Sequence, residues 1–346
     1  AASDTARITI KGKGGHASRP HLAIDPIYIA SLLVVALQSV VSRSIDPTQT
    51  SVVTVGAIHA GDAANVIPET ARMALSIRSF DATIRDRVRQ RDLAERNLRH
   101  AVAYGGIKPF YQPIIDLHSG RISGFEALAR WQMEDGTFIS PVDFIPLAEE
   151  SGLMPKLTDL LLRQACRDAA RWPADTRLSF NVSPVQLKDR TLGLRILTIL
   201  METEFDPRRL EIEITESHRA AGAEVVSILN DIRGMGIGIA VDDFGTGFSS
   251  MSYLMDLPVT RIKLDRRFVS GVATDPRCLN VVRSSIALAR GLDIDVTAEG
   301  IEDRGQLDVI RSLGCRSAQG YLFGKPAALP EYGLQRNQAH PVRAAL

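Results

Sequence analysis

Three shortages in the sequence each exclude a class of protein. Cys166, Cys278 and Cys315 are the only cysteines, and they are widely spaced with no CxxC pair, so we expect free thiols in a reducing cytoplasm. A formal net charge of +1 gives no general electrostatic basis for binding a nucleic-acid polymer or a membrane. The longest apolar run, residues 29–41, is too short to cross a bilayer and lacks the position and flanks of a signal peptide. The sequence therefore predicts a cytoplasmic protein.

The first block of the sequence predicts a small α+β unit. Alternation of apolar and polar residues predicts strands at residues 6–12, 50–61 and 71–80. Between the first two strands, Asp25 is a plausible N-cap for an apolar helix over residues 25–43. A segment without Gly or Pro then predicts one long helix over residues 81–104.

The long helix predicts where this unit ends, because its apolar stripe changes phase. At about 100° per residue, Leu93 falls about halfway round the helix from Val88, so the helix would serve two separate cores. We place the domain boundary at this change of phase. The chain then divides into residues 1–91 and 92–346, which agrees with the two domains expected for a chain of 346 residues.

From residue 110 onward, short apolar segments alternate with helical segments. Eight of the apolar segments are predicted strands: 110–116, 124–130, 177–183, 210–216, 237–244, 260–265, 295–301 and 318–324. Eight strands joined mostly by helices predict a (β/α)8 TIM-like barrel. The link between the first two strands, LHSGR, is too short for a parallel crossover. The first strand should therefore run antiparallel to the second.

Polar residues stand at the C-terminal ends of nearly all these strands, where the active sites of such barrels lie. They are Glu126, Asn181, Glu213, Asp242, Asp243, Lys263, Asp265, Glu299 and Gln319. A single acid of this kind is usually a solvated strand end or half of a structural ion pair. A whole set converging on one mouth would repel itself unless cations were bound. The sequence therefore predicts a metal site at the mouth of the barrel.

The chemistry of this set predicts the metal and the reaction. All the ligands are hard oxygen donors, with no His or Cys, and this favours Mg²⁺ or Mn²⁺ over zinc. The adjacent Asp242 and Asp243 predict two ions, because one carboxylate can bridge both metals while its neighbour holds the second. Such a site is typical of phosphodiester hydrolysis, and Lys263 and Arg130 add positive charge for the phosphate. Glycines in the following DDFGTGFSS segment permit movement or a close approach to a ligand.

Distinctive motifs recur over about residues 93–335: EALAR, FYQP, FNVSP, EITES, DDFGTGFSS, IKLD, AEGIE and QGYLFGKP. With these motifs the block resembles the EAL-domain cyclic di-GMP phosphodiesterases. The resemblance implies a hydrolase with two Mg²⁺ or Mn²⁺ ions that converts cyclic di-GMP to linear 5′-pGpG. The one visible departure is Ala129, where the family more often has Leu.

The resemblance also implies a role for each matching residue. It implies metal ligands at Glu126, Asn181, Glu213, Asp242 and Asp243, with Asp242 shared by both ions. It implies substrate contacts at Arg130, Leu128, Gln112, Asp265 and Gln319. Glu299 would be the general base, and Lys263 would hold the nucleophilic or a metal-bound water. Glu302 would support the site, and Glu216 would anchor the DDFGTGFSS loop.

The first block contains the paired segments GGHA and NVIP, and over about residues 4–91 it resembles the dimerisation or lid domain of aminoacylase- and carboxypeptidase-type zinc amidohydrolases. The resemblance implies a ferredoxin-like βαββαβ unit that pairs two chains. In that family the His of GGHA and the Asn of NVIP reach into the partner's active site, and here they are His16 and Asn65. We find no zinc ligands of a peptidase catalytic half, so we interpret these two residues as a vestigial lid site.

The combination of the two blocks leaves alternatives open. The long helix stands where the fourth strand of the lid is expected, which would leave a sheet edge open. We interpret the chain as an engineered fusion in which the lid imposes a homodimer. A cyclic di-GMP receptor that leaves the dinucleotide intact, and a scaffold that only assembles EAL domains, are the rival hypotheses. The presence of every acid, of Asn181 and of Lys263 favours the enzyme over the receptor.

Overall fold

The computed structural model describes residues 2–44, 51–79, 82–133, 135–215, 223–245 and 251–328. By its contacts the chain divides into two compact units, Ala1–Ala94 and Glu95–Leu346. The division lies within a helix, three residues beyond residue 91. Each unit has its own hydrophobic core.

The first unit is a three-stranded antiparallel sheet with one helix. Its elements are β1 (Ala2–Lys11), β2 (Gly15–His16), α1 (Pro26–Ser44), β3 (Ser51–Ala60), β4 (Val66–Ile67) and β5 (Thr70–Ser79). The strand order β1-β5-β3 is that of a βαββαβ unit without its fourth strand. The predicted ferredoxin-like α+β fold is therefore confirmed, and within the described residues the sheet has three strands.

Alternation along the strands decides which face of this sheet is covered. Ala71, Met73 and Leu75 of β5 are buried, together with Ala30 of α1. The residues between them on β5 lie on the opposite face of the sheet. The Asp25 carboxylate accepts a hydrogen bond from the Ile27 backbone N–H at 2.8 Å, which caps α1 as the sequence predicts.

The helix that joins the two units is α2 (Ala82–Tyr104). Its C-terminal part supplies Leu98, Ala101 and Val102 to the core of the second unit, whereas Leu93 is 58% exposed. The side chain of Val88, on which the change of phase depends, lies outside the described residues. Among the helices that the structure describes, none is both long enough and apolar enough to cross a membrane.

The second unit is built from strands and helices in alternation. Its strands are β6 (Ile107–Asp116), β7 (Arg121–Gln132), β8 (Phe138–Ile139), β9 (Arg177–Asn181), β10 (Leu210–Thr215), β11 (Gly238–Phe244), β12 (Arg261–Leu264), β13 (Asp295–Ala298) and β14 (Ser317–Gln319). Its helices are α3 (Pro141–Glu150), α4 (Met154–Ala169), α5 (Leu192–Thr203), α6 (Ala223–Gly234), α7 (Met251–Asp256), α8 (Arg266–Ser270), α9 (Pro276–Gly291) and α10 (Arg304–Ser312). Short 3₁₀ turns lie at Pro20–Leu22, Pro184–Lys188 and Pro207–Arg209.

Eight of these strands close into a barrel. The order is β6-β14-β13-β12-β11-β10-β9-β7, and β7 pairs with β6 to complete the ring. Strand β6 is antiparallel to both of its neighbours, while the other barrel strands pair in parallel. The predicted TIM-like barrel with an inverted first strand is confirmed.

The strands have an apolar outer face and a polar inner face, which positions the functional groups. On β10, Leu210, Ile212 and Ile214 pack in the hydrophobic core, whereas Glu211 and Glu213 occupy the alternate positions and are buried too. Because successive side chains point to opposite faces, the two glutamates share the interior of the barrel. The main core therefore lies between the barrel and its helices.

The turn after β14 generates a stability prediction. A methyl group on Gly320 would lie 2.1 Å from the Ile301 carbonyl oxygen and 2.3 Å from the Ile301 nitrogen. Backbone atoms cannot yield as a flexible side chain can, so we expect Gly320→Ala to lower the free energy of unfolding by roughly 1–3 kcal/mol. Gly234→Ala is the matched control, because a methyl group there meets nothing within 4 Å. Urea denaturation of both variants checks this, and equal stabilities would contradict the packing described.

Candidate active site

One buried ammonium group lies at the centre of the site. Lys263 of β12 is 1% exposed, and its Nζ lies 2.7 Å from both Glu213 Oε2 and Glu299 Oε1. Glu126 Oε2 is 3.3 Å away and Asp242 Oδ1 is 3.5 Å away. Burial alone would lower the pKa of Lys263, but the charges of these four carboxylates outweigh burial and raise the pKa well above its usual range. The ammonium group therefore stays charged.

Two side-chain amides orient Glu126, the first residue of the EALAR motif. Asn181 Nδ2 donates to Glu126 Oε1 at 2.7 Å, and Gln319 Nε2 donates to Glu126 Oε2 at 2.7 Å. Gln319 Nε2 also donates to Gln112 Oε1 at 3.1 Å. Burial would raise the pKa of Glu126, but Lys263 and the two amides lower it below its usual value. Glu126 is therefore held as a carboxylate, and the Asn181 carbonyl oxygen does not take part in this contact.

Two other carboxyl groups beside Lys263 have raised pKa values. Burial, followed by the charges of Asp242 and Glu126, raises the pKa of Glu299 to about 8 although Lys263 opposes the shift. Burial and the charge of Glu126 also raise the pKa of Glu213 well above its usual range. Glu213 Oε1 is buried and has no hydrogen-bond partner within the described residues. A buried oxygen of this kind is costly unless a cation or a proton donor reaches it.

The two aspartates of β11 reach the same region through an irregularity of the strand. In a regular strand adjacent side chains point to opposite faces. Here the register with β12 shifts between Val241 and Phe244, and Asp243 adopts a left-handed backbone with φ 55°. One carboxylate oxygen each of Asp242, Asp243 and Glu299 lies within 4.8 Å of the others. Burial and the charge of Asp242 raise the pKa of Asp243 to about 6.

The donor set fits Mg²⁺ or Mn²⁺. Five carboxyl groups converge here, and among the described residues Lys263 is the cation that contacts four of them. All of these donors are hard oxygen ligands, the type that both ions prefer. The buried oxygen of Glu213 without a partner and the raised pKa of Glu299 are what a site lacking positive charge would show. The arrangement can therefore hold a divalent cation.

Four of the predicted substrate residues lie near Glu126, with Arg130 and Leu128 on the same strand and Gln112 and Gln319 buried beside it. Arg130 and Leu128 lie on the same face of β7 as Glu126, because alternate residues of a strand share a face. Burial lowers the pKa of the half-buried Arg130, although Tyr321 and Glu126 oppose the shift. Asp265 caps α8 by accepting from the Arg267 backbone N–H at 2.8 Å.

Other predicted residues lie apart from the site or outside the described residues. Glu302 forms an ion pair with Arg266 at 3.0 Å, so its described side-chain contact is not with the carboxylate cluster. Glu216 and residues 246–250 of the DDFGTGFSS segment lie outside the described residues. In the first unit, Ala17 N–H donates to the Asn65 carbonyl at 2.9 Å, and His16 Nδ1 lies 2.7 Å from Ser18 Oγ. His16 pairs with Val66, the residue after Asn65, where β2 meets β4.

The comparisons with known proteins agree with this geometry. Residues 95–326 match the model of the EAL domain, which is more than half of the chain. The chain belongs to the EAL domain family. Residues 2–100 match the model of a peptidase dimerisation domain. The two predicted resemblances are confirmed by these matches.

Individual relatives point the same way. An uncharacterized protein of Sinorhizobium fredii is 42% identical over 71% of this chain and 30% of its own length. A cyclic di-GMP phosphodiesterase of Pseudomonas aeruginosa is 42% identical over 65% of this chain and 39% of its own length. The solved phosphodiesterase PaMucR, in complex with c-di-GMP, is 34% identical with a TM-score of 0.65, covering 68% of this chain and 97% of that one. The chain thus spans about a third of the length of these curated relatives.

Sequence reasoning missed a second layer of buried polar residues under the site. Arg261 and Glu211 pair inside the barrel, with Arg261 Nε 3.0 Å from Glu211 Oε2. The signal was present in the strands themselves, because LEIEIT and RIKL each carry a charged residue two positions before the residue at the site. Alternation requires both charged residues of a strand to face the same side.

The raised pKa of Glu299 generates a prediction for the metal-free protein. A carboxyl group with a pKa of about 8 when folded, against an ordinary 4.5, holds its proton more tightly in the folded state. Its contribution to stability is complete below about pH 4.5 and is lost as the pH rises through 8. In chelator we expect the free energy of unfolding to fall between pH 5 and 8, with an upper limit of roughly 5 kcal/mol from this group.

Urea denaturation in chelator at several pH values checks this prediction. Glu299→Gln cannot ionise, so it should make the fall between pH 5 and 8 smaller, while Asp243 and Glu213, whose pKa values are also raised, continue to contribute to it. Glu302→Gln is the control, because that carboxylate pairs with Arg266 at the surface and should leave the fall unchanged. An identical pH dependence in the wild type and in Glu299→Gln would contradict the pKa assignment.

Proposed function

We propose that the chain hydrolyses cyclic di-GMP to 5′-pGpG, using two Mg²⁺ or Mn²⁺ ions. The observation that carries the proposal is the convergence of four carboxyl groups on the buried ammonium group of Lys263, with Asp243 beside two of them. The naming of relatives as cyclic di-GMP phosphodiesterases, and the dinucleotide bound in PaMucR, support this choice of substrate. We assign the reaction to the cytoplasm, with which the three free cysteines are consistent.

The metal-binding residues follow from the donor set. Glu126, Asn181, Glu213 and Asp242 would hold the first ion, and Asp242 and Asp243 the second. When bound, the ions would activate water and neutralise charge on the phosphate oxygens. The amides of Asn181 and Gln319 keep Glu126 in one orientation, since each donates to a different oxygen of its carboxylate. Glu126 therefore offers its ligand oxygens without a search of side-chain conformations.

Glu299 is the proposed proton acceptor. Its carboxylate is fixed by Lys263 at 2.7 Å, at the mouth beside Asp242 and Asp243. Additional positive charge lowers the pKa of a neighbouring carboxyl group, so the loaded site would hold Glu299 in the ionised form that a base requires. Lys263 remains protonated throughout, and we assign it to holding the attacking water in place.

The remaining predicted residues would bind the substrate. Arg130 is a half-buried cation on the face of β7 that carries Glu126, and a guanidinium suits a phosphate. We assign substrate contacts also to Leu128, Gln112, Asp265 and Gln319. Gln112 is fixed at both ends, because its Nε2 donates to the Gly324 carbonyl at 3.2 Å while its Oε1 accepts from Gln319.

Incubation with cyclic di-GMP and Mg²⁺, with and without chelator, tests the proposed reaction. Chromatography should show 5′-pGpG only in the presence of the metal. Intact dinucleotide that nevertheless binds to the protein would instead identify a receptor. A protein that neither binds nor cleaves the dinucleotide would support the scaffold hypothesis.

Two substitutions separate metal binding from proton transfer. Glu126→Ala removes a metal ligand, so we expect turnover to be abolished. Glu299→Gln removes a proton acceptor but keeps the shape of the side chain, so we expect substrate binding with a loss of roughly 10²–10⁴-fold in rate. Rapid hydrolysis by Glu299→Gln would exclude Glu299 as the base. Full activity of Glu126→Ala would contradict the assignment of Glu126 as a metal ligand.

We further propose that residues 1–91 act as a homodimerisation module for the phosphodiesterase of residues 92–346. The match to a peptidase dimerisation domain supports this, and so does an exposed apolar stripe on α1. Tyr28, Leu32 and Val35 are exposed at intervals of four and three residues, which places them on one face of the helix. The opposite face already packs on the sheet through Ala30. An exposed apolar face of this kind suits a second copy of the chain.

Light scattering at micromolar concentration tests the homodimer. We expect a dimer for the wild type and a monomer for Leu32→Glu, because a charge in the apolar stripe would have to be buried on pairing. Val142→Glu on α3 is the matched control, since Val142 is also an exposed apolar residue but lies outside the stripe. A monomeric wild type would remove the proposal, and a dimeric Leu32→Glu would exclude α1 as the interface.

A further inference from the structure

A second layer of buried polar side chains lies directly below the residues of the site. Residues two positions apart on a strand share a face, so each of the central strands contributes one residue to each layer. The pairs are Arg261 below Lys263, Glu211 below Glu213, and Thr297 below Glu299. The three residues of the lower layer are all buried. Barrels of this type usually fill such a layer with branched apolar side chains, so its polarity needs an explanation.

Arg261 ties the lower layer together. Arg261 is 7% exposed, and its Nε lies 3.1 and 3.0 Å from the two carboxylate oxygens of Glu211 on β10. One terminal nitrogen donates to Thr297 Oγ1 at 3.3 Å, and the other donates to Asp295 Oδ2 at 3.2 Å, both on β13. Ser179 of β9 donates to Glu211 Oε1 at 3.3 Å. One guanidinium group thus connects β10, β12 and β13.

The same three strands are connected a second time in the layer above. There Lys263 of β12 contacts Glu213 of β10 and Glu299, the residue that follows β13, both at 2.7 Å. Strand β11 lies between β10 and β12, and its residues on this face are small, Gly238 and Ala240. A side chain added at Gly238 would meet Glu211 at 3.4 Å, so the absence of one leaves room for the pair. The contacts of Arg261 and those of Lys263 therefore join the same strands of the barrel.

We propose that Arg261 is a positioning residue that sets the spacing of Glu213 and Glu299 about Lys263, and through it the affinity of the site for Mg²⁺ or Mn²⁺. The inference rests on the proposed function, because it concerns the same metal site. Arg261 is well suited to this role, since its planar fork fixes several acceptors at once, which a lysine cannot do. Residues that orient metal ligands typically change metal affinity 10–100-fold when they are replaced.

The test compares variants of the full chain by isothermal titration calorimetry with Mn²⁺ alone. Arg261→Lys keeps the charge but loses the fork. The double variant Arg261→Met with Glu211→Leu removes both charges, so no carboxylate is left buried and unpaired. We expect both to bind Mn²⁺ roughly tenfold more weakly than the wild type. Their activity should return at high Mn²⁺, with an unchanged KM for cyclic di-GMP.

Arg209→Met is the matched control. Arg209 is also partly buried near this end of the barrel, but it donates to the carbonyls of Thr176 and Ala169, at 2.9 and 2.8 Å. Its loss should lower the melting temperature and leave Mn²⁺ affinity unchanged. Wild-type Mn²⁺ affinity in a folded Arg261 variant would overturn the inference, and so would failure of both Arg261 variants to fold, since Arg261 would then act on stability alone. A wild type that neither binds Mn²⁺ nor cleaves cyclic di-GMP would instead refute the proposed function.

Discussion

The second unit of the chain is organised around the buried ammonium group of Lys263. A charge that is almost fully removed from water must be compensated nearby, and four carboxylates lie within 3.5 Å of it. The compensation is excessive, because these acids and Asp243 outnumber the one cation. The excess negative charge has two consequences. It contributes to the raised pKa values of Glu213 and Glu299, and it makes the site suitable for an added cation. Folding and metal binding are therefore aspects of the same charge balance.

Much of this site could be predicted from the sequence, because the barrel converts position along the chain into position in space. Each apolar segment ends in a polar residue, and parallel strands bring those ends to one mouth. The inversion of β6 was predictable as well, since four residues between β6 and β7 cannot form a crossover. The adjacent Asp242 and Asp243 were harder. Regular alternation would separate them, and only the shift of register and the left-handed Asp243 bring both to the mouth.

Other features could not be predicted because local patterns say which residues share a face but not what that face meets. Alternation places Glu211 with Glu213, yet it does not reveal that Arg261 reaches Glu211 across an intervening strand. Proximity in sequence was also a poor guide for Glu302, which follows Glu299 closely but pairs with Arg266. The interpretation of His16 as part of a vestigial lid site rests on resemblance. Its contact with Ser18 is local and requires no catalytic partner.

The inverted strand β6 also determines where the polypeptide enters the barrel. Ile107, its first residue, pairs with Trp131 near the end of β7, on the side of the barrel where Arg130 lies. In a barrel of eight parallel strands the first strand would begin on the opposite side, away from the chemistry. Here α2 ends at Tyr104, so the chain passes from this helix into the barrel on the side where Arg130 lies. The last turn of α2 and the residues of the carboxylate cluster are therefore held by the same end of the barrel.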